Sequence, residues 1–251
     1  MMPMLVWMLA AAVSNASSTS GVAGHHEVNY LAVDLRTQGV IAREWPDADV
    51  AIPVGSLVKP FTALAYGGDF PEFDCKGSAS GCWLARGHGR IRFREALADS
   101  CNAYFLNMAR SVDAETLAVV AAKFGIPAPS SDTAETRIGL GKAWKISPLA
   151  LLRAYGELAA RQREPRVAEI LAGLKMAAES GTAKALGRGV LAKTGTAPCV
   201  APRMHAGDGF TMVLDPAEAP RIALLVRVHG VPGAEAAKTA VRILREMRSG
   251  K

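Results

Sequence analysis

The sequence predicts a mixed α/β (α+β) fold in which an antiparallel sheet is built from both ends of the chain and flanked by helices, with an all-α block inserted between them. Two observations carry this. Alternating apolar and polar runs bounded by Gly and Pro cluster near the two ends, while the middle repeats apolar residues at helical spacing. Size and composition agree: 251 residues, 50% hydrophobic and 21% charged, can bury a sizeable core and do not describe a disordered chain.

Taken in order, the opening "MMPMLVWMLAAAVSNASS" holds an apolar run from Met4 to Val13, too short to span a bilayer, then Ser14 and Ala16 at the spacing of a signal-peptidase site. Residues 1–16 are read as a signal peptide, 17–26 as a linker and 27–250 as one domain with a helical subdomain over about 67–181. The expectation is an exported periplasmic or cell-envelope protein. Because the start lacks Lys and Arg, an uncleaved membrane anchor is the alternative.

"VNYLAVDLRTQGVIARE" alternates about a "TQG" turn and predicts a β-hairpin. A helix is expected from about Ser56 to Tyr66, then a glycine-rich loop over 67–90. From Ile91 the pattern turns helical through "RFREALADSCNAYFLNMARS", "DAETLAVVAAKFG", "SPLALLRAYGELAARQ" and "VAEILAGLKMAAESG", with Ser147 and Pro148 placed to open the third of these. "GVLAKTGTA", "GFTMVLDP" and "PRIALLVRVHG" read as strands, and "GAEAAKTAVRILREMRS" as a closing helix.

The formal charge of +6 is modestly basic. The basic C-terminal run has no interleaved aromatic and fits a solvated helix face better than a nucleic-acid surface. Export would make Cys75, Cys82, Cys101 and Cys199 candidates for disulfides, with Cys75–Cys82 the best local pair. A zinc site on Cys75, Cys82 and His88 is set aside, because the spacing does not suit a zinc knuckle and no fourth ligand is apparent. Cys101 and Cys199 are read as small buried residues.

The chemistry starts in "AIPVGSLVKPFTALAY", where Ser56 and Lys59 stand three apart at a helix start sharpened by Pro60. Apolar neighbours Val54, Leu57, Val58 and Phe61 would desolvate the amine and favour its neutral, basic form. Such an amine can activate a serine hydroxyl, and the unpaired N–H groups of a helix start can hold an oxyanion. One Ser-x-x-Lys spacing is weak alone. "SCNAYF" adds Ser100 and Asn102, and "AKTGTA" adds Lys193, Thr194, Gly195 and Thr196 on a predicted strand.

In this order, Ser-x-x-Lys, Ser-x-Asn and Lys-Thr-Gly resemble the signature set of the penicillin-binding protein transpeptidase domain, a family of serine D,D-peptidases. "GHGRIRFREALADSCNAYFLNMA", "GLGKAWKISPLALLRAYGELA" and "ESGTAKALGRGVLAKTGTAP" resemble the segments around the family's motifs. The resemblance spans roughly residues 27–250 and implies a β-lactamase/transpeptidase-like fold.

By that resemblance Ser56 is the nucleophile, Lys59 its base, Ser100 a proton relay and Lys193 a positive charge that lowers the pKa of Lys59. Asn102 would hold the substrate backbone, Thr194 and Thr196 its carboxylate, and the N–H groups of Ser56 and Thr196 the oxyanion, with Gly195 between the two threonines. The implied function is D,D-transpeptidase or D,D-carboxypeptidase action on peptidoglycan stem peptides through a Ser56 acyl-enzyme. β-Lactams would be covalent inhibitors, cell-wall synthesis proteins would be partners, and no cofactor is required. The family usually places proline directly before the Gly-Ser pair, whereas Val54 intervenes here. The length leaves no room within this sequence for a glycosyltransferase domain or an elongated N-terminal pedestal. A serine β-lactamase is the alternative, although no Glu-x-x-Leu-Asn loop lies between the second and third motifs; a non-catalytic binding module is the other.

Overall fold

The computed structural model describes residues 26–198 and 207–249. The expected signal segment, most of the linker and Cys199 lie outside the described residues.

The N-terminal hairpin forms as β1 (Val28–Asp34) and β2 (Val40–Glu44), and the C-terminal strands as β7 (Leu191–Ala197), β8 (Asp208–Asp215) and β9 (Ile222–His229). They make one antiparallel sheet in the order β2-β1-β9-β8-β7. The sheet is therefore sewn from both ends of the chain, and β7 is its edge. Between β2 and β7 run two short antiparallel pairings, the long-range β3 (Ile52–Pro53) with β6 (Lys145–Ile146) and the hairpin β4 (Phe73–Cys75) with β5 (Gly89–Ile91). The helices there are α1 (Lys59–Ala65), α2 (Phe93–Ala98), α3 (Asn102–Ala109), α4 (Ala114–Lys123), α5 (Ala134–Arg137), α6 (Pro148–Ala160) and α7 (Pro165–Glu179). The chain closes with α8 (Gly233–Arg248).

Strand periodicity places the core on both faces of the sheet. Phe210, Met212, Leu214 and Leu225 enter a large cluster shared with α1, α3, α6 and α7. Val213, Leu224 and Val226 face the other way, onto Ala236, Ala237, Ala240, Ile243 and Leu244 of α8. The opposite side of α8 carries the basic residues, with Arg242 paired to Glu246 at 2.9 Å. Cap residues set the helix starts: Asp113 accepts from Thr116 N (2.7 Å) and Ser147 from Ala150 N (3.2 Å), with Pro148 at the first turn.

Three local expectations change. The helix expected from Ser56 splits into a 3₁₀ turn, Gly55–Val58, followed by α1, because Pro60 suits only a helix's first turn. The expected loop over 67–90 contains the β4–β5 hairpin, whose strands are too short to show periodicity. The helix expected after Ile91 breaks into α2 and α3 at Ser100, which adopts φ +52°. Left-handed backbone at a non-glycine residue cannot continue a right-handed helix.

The expected Cys75–Cys82 disulfide does not form; Cys75, Cys82 and Cys101 are free. The hairpin brings both hairpin sulfurs to 3.5 Å from His88 Nδ1 instead of joining them, and Cys101 Sγ lies 3.8 Å from that of Cys82. A disulfide needs about 2.05 Å.

A buried hydrogen bond ties the two parts of the chain at the 3₁₀ turn: Tyr155 on α6 donates through its hydroxyl to Leu57 O at 2.7 Å. Tyr155→Phe leaves that carbonyl without its partner. It is expected to lower unfolding stability by about 1–3 kcal/mol, read as a reduced denaturant midpoint at unchanged slope.

Candidate active site

The site is assembled where β7 meets the 3₁₀ turn, and glycine permits the meeting. A Cβ on Gly55 would stand 2.4 Å from Thr196 O, and one on Gly195 would stand 2.7 Å from Val54 O. Neither approach admits a side chain. The two backbones therefore run in contact, and Ser56 opens beside Thr194, Gly195 and Thr196.

Those four residues line a cleft of about 350 Å³ together with Ser100, Asn102, Trp83, Leu140, Thr182, Pro232, Gly233 and Ala234. Lys59 and Lys193 sit behind this lining, both with no solvent exposure. All eight residues singled out in the sequence thus converge on one place. Trp83, Leu140, Thr182 and the start of α8 were missed. Thr182 lies inside the quoted approach to the third motif and Leu140 inside the quoted Gly-rich turn, but neither carries a motif letter of its own.

Ser100 is the junction. Lys193 Nζ donates to Ser100 Oγ at 2.8 Å and to Thr194 O at 2.8 Å. Lys59 Nζ donates to Ser100 O at 2.8 Å and to Asn102 Oδ1 at 2.7 Å, and lies 3.3 Å from Ser100 Oγ. The left-handed backbone of Ser100 is what turns its hydroxyl and its carbonyl toward two different amines.

Burial lowers Lys59 to a pKa of about 7, against an opposing upward pull from Cys101 and Cys82. That shift corresponds to roughly 5 kcal/mol against the charged form. Burial also pushes Lys193 well below its usual value, with the charge of Lys59 next in size. Repulsion between the two neighbouring amines acts in the same direction as burial. A neutral Lys59 has two N–H groups and one lone pair. Ser100 O and Asn102 Oδ1 occupy the two donors and leave the lone pair for a hydroxyl. Among the described residues the Ser56 hydroxyl itself makes no hydrogen bond. The 3₁₀ turn brings Ser56 and Lys59 to the same side, since residues three apart eclipse in that geometry.

The threonines differ from one another. Thr194 Oγ1 donates to Thr182 Oγ1 at 2.6 Å, which in turn donates to Ala98 O at 3.0 Å. The one hydroxyl proton of Thr194 is thereby used within the protein, while the residue still lines the cleft. Thr196 is exposed, and its oxygen accepts from Gly233 N at 3.0 Å, so its proton is free for the cleft. The N-terminus of the 16-residue α8 borders the same cleft and adds partial positive charge there.

A family model described as the penicillin binding protein transpeptidase domain matches residues 76–247. Ser56 and Lys59 precede that span. Among solved structures, PBP2 of Pseudomonas aeruginosa in complex with WCK 5153 superposes with a TM-score of 0.71 at 17% identity, over 88% of this chain and 70% of that one. PBP2 of Helicobacter pylori, in its complex with MreC, gives 0.73 at 17% identity, over 89% and 60%. The transpeptidase domain of Burkholderia pseudomallei penicillin-binding protein 3 gives 0.69 at 17% identity, over 88% of each chain. This chain therefore spans six- to seven-tenths of the longer relatives and most of the isolated domain. At such identities the likeness establishes the fold, a penicillin-binding transpeptidase fold of the β-lactamase-like type. No curated protein matches the sequence significantly. With the sheet, the helical insertion and a family match across most of its length in agreement, the chain belongs to the penicillin-binding protein transpeptidase domain family.

Proposed function

We propose that the chain is a serine D,D-peptidase, a transpeptidase or carboxypeptidase, acting on peptidoglycan stem peptides through an acyl-enzyme on Ser56. The observation that carries this reading is the single hydroxyl of Ser100 held between two buried amines directly behind the cleft that Ser56 lines.

In the proposed cycle, the stem peptide lies along the outer edge of β7, where an edge strand offers unpaired backbone groups. Its terminal carboxylate meets the Thr196 hydroxyl and the N-terminus of α8. Ser56 Oγ attacks the scissile carbonyl, and its proton passes to the lone pair of Lys59. The oxyanion falls to the N–H groups of Ser56 and Thr196. Collapse breaks the C–N bond, and the leaving amine takes its proton through Ser100, which Lys193 polarises. An amine or water then accepts the acyl group and frees Ser56. The described lining presents hydroxyl, amide and apolar groups to the adduct, which supports slow release of a β-lactam. The reading places the protein at the cell envelope. The relative solved with MreC supports a cell-wall assembly partner for this chain as well.

Labelling with a fluorescent penicillin tests the reading. A long-lived adduct is expected on the wild-type chain and none on folded Ser56→Ala; rapid release with steady consumption of penicillin would mean a β-lactamase, and no labelling of folded wild type a binding module. The acylation rate should also follow the neutral fraction of Lys59. It should rise as pH passes upward through about 7 and level off above, and Lys59→Ala should fall by about 10²–10⁴-fold and lose this profile. Stopped-flow acylation across pH 5.5–9, roughly two units either side, reads both.

A further inference from the structure

A second constellation lies beside the turn at Ser100, with Cys101 next to it in the chain. Cys75 closes β4, Cys82 and His88 lie in the loop before β5, and Cys101 caps α3 between Ser100 and Asn102. Their donor atoms all lie within 4.8 Å of one another. We propose that Cys75, Cys82, His88 and Cys101 bind a zinc ion, and that this ion fixes the loop carrying Trp83 against the catalytic serine-asparagine turn.

The distances carry the assignment. A tetrahedral zinc with bonds of about 2.3 Å to sulfur and about 2.0–2.1 Å to nitrogen holds its sulfurs roughly 3.8 Å apart, and sulfur and nitrogen roughly 3.5 Å apart. Here Cys82 Sγ and Cys101 Sγ are 3.8 Å apart, and His88 Nδ1 is 3.5 Å from both the Cys75 and the Cys82 sulfurs. No disulfide has that spacing. Three thiols and an imidazole form a closed donor set of the structural zinc type. Binding would release three thiol protons and leave the centre with a single net negative charge.

The backbone is shaped around the cluster. Cys82 N donates to Gly77 O (3.0 Å) and Ser78 N to Ala85 O (3.2 Å), folding the loop back on itself. Gly77 and Gly87 cross so closely that a Cβ on Gly77 would lie 2.0 Å from Ala85 O, and one on Gly87 would lie 2.1 Å from Cys75 O. Tyr104 N donates to Cys101 Sγ at 3.5 Å, an outer-shell contact that orients a sulfur ligand. The loop then touches the active site through Trp83. Its ring stands edge-on to His88, with centroids 5.7 Å apart, and its Nε1 donates to Ser100 O at 3.2 Å. The same carbonyl receives Lys59.

The sequence hid the site because Cys101 sits inside the Ser-x-Asn motif and the other spacings match no common zinc pattern. Elemental analysis of the purified full chain tests it, with one zinc per chain expected. After zinc removal, cobalt(II) should bind with the intense visible bands of a tetrahedral thiolate site. His88→Ala should weaken zinc at least about 100-fold, beyond the usual loss from an outer-shell change, and His88→Cys, which keeps a donor, should recover most of it. Should His88→Ala fail to fold, wild-type stoichiometry and the cobalt spectrum decide alone. Metal-free protein that takes up neither ion, or a Cys75–Cys82 disulfide in unreduced protein, would overturn the proposal. None of these readouts depends on acylation of Ser56.

Discussion

Two lysine amines and one serine hydroxyl, all withdrawn from water, form the contact on which the rest of the site depends. An ammonium buried without a paired carboxylate is costly, and two of them side by side cost more. The fold holds them by letting the amines titrate downward and by giving Lys59 and Lys193 oxygen acceptors from Ser100, Asn102 and Thr194. That same loss of charge leaves the Lys59 amine with a lone pair near neutral pH. Stability and reactivity are set by one desolvation.

Holding three residues from distant parts of the chain at hydrogen-bond distance requires rigid supports. Lys59 stands at the head of α1, Lys193 inside a strand paired on one edge, and Ser100 on a strained turn between α2 and α3. The supports touch directly through glycine, so β7 and the 3₁₀ turn pack backbone against backbone. Tyr155 adds a buried bond from α6 to that turn. Helices that look like scaffolding in the chain are thus one contact away from Ser56.

The turn at Ser100 is held by several side chains. The lysines hold its hydroxyl and carbonyl, and Trp83, from the loop with His88 and the cysteines, donates to the same carbonyl. Strained backbone persists only where its surroundings over-determine it. A metal-bound loop would supply that over-determination for a residue whose left-handed conformation aims a hydroxyl at two amines.

The sequence by itself determined the sheet built from both termini, the closing helix and the eight residues that meet at the cleft. Each of these rests on local periodicity or on an ordered set of motif letters, and such signals survive in one dimension. Tertiary structure alone decided the rest. It divided the labour of Thr194 and Thr196, because only spatial neighbours, Thr182 and the start of α8, determine which hydroxyl proton is free. It broke the helix at Ser100 and built a hairpin in a glycine-rich stretch too short to show a period. It also replaced an expected disulfide by a four-residue cluster, since a ligand set is defined by distances between side chains and Cys101 is near Cys75 only once α3 packs on the hairpin.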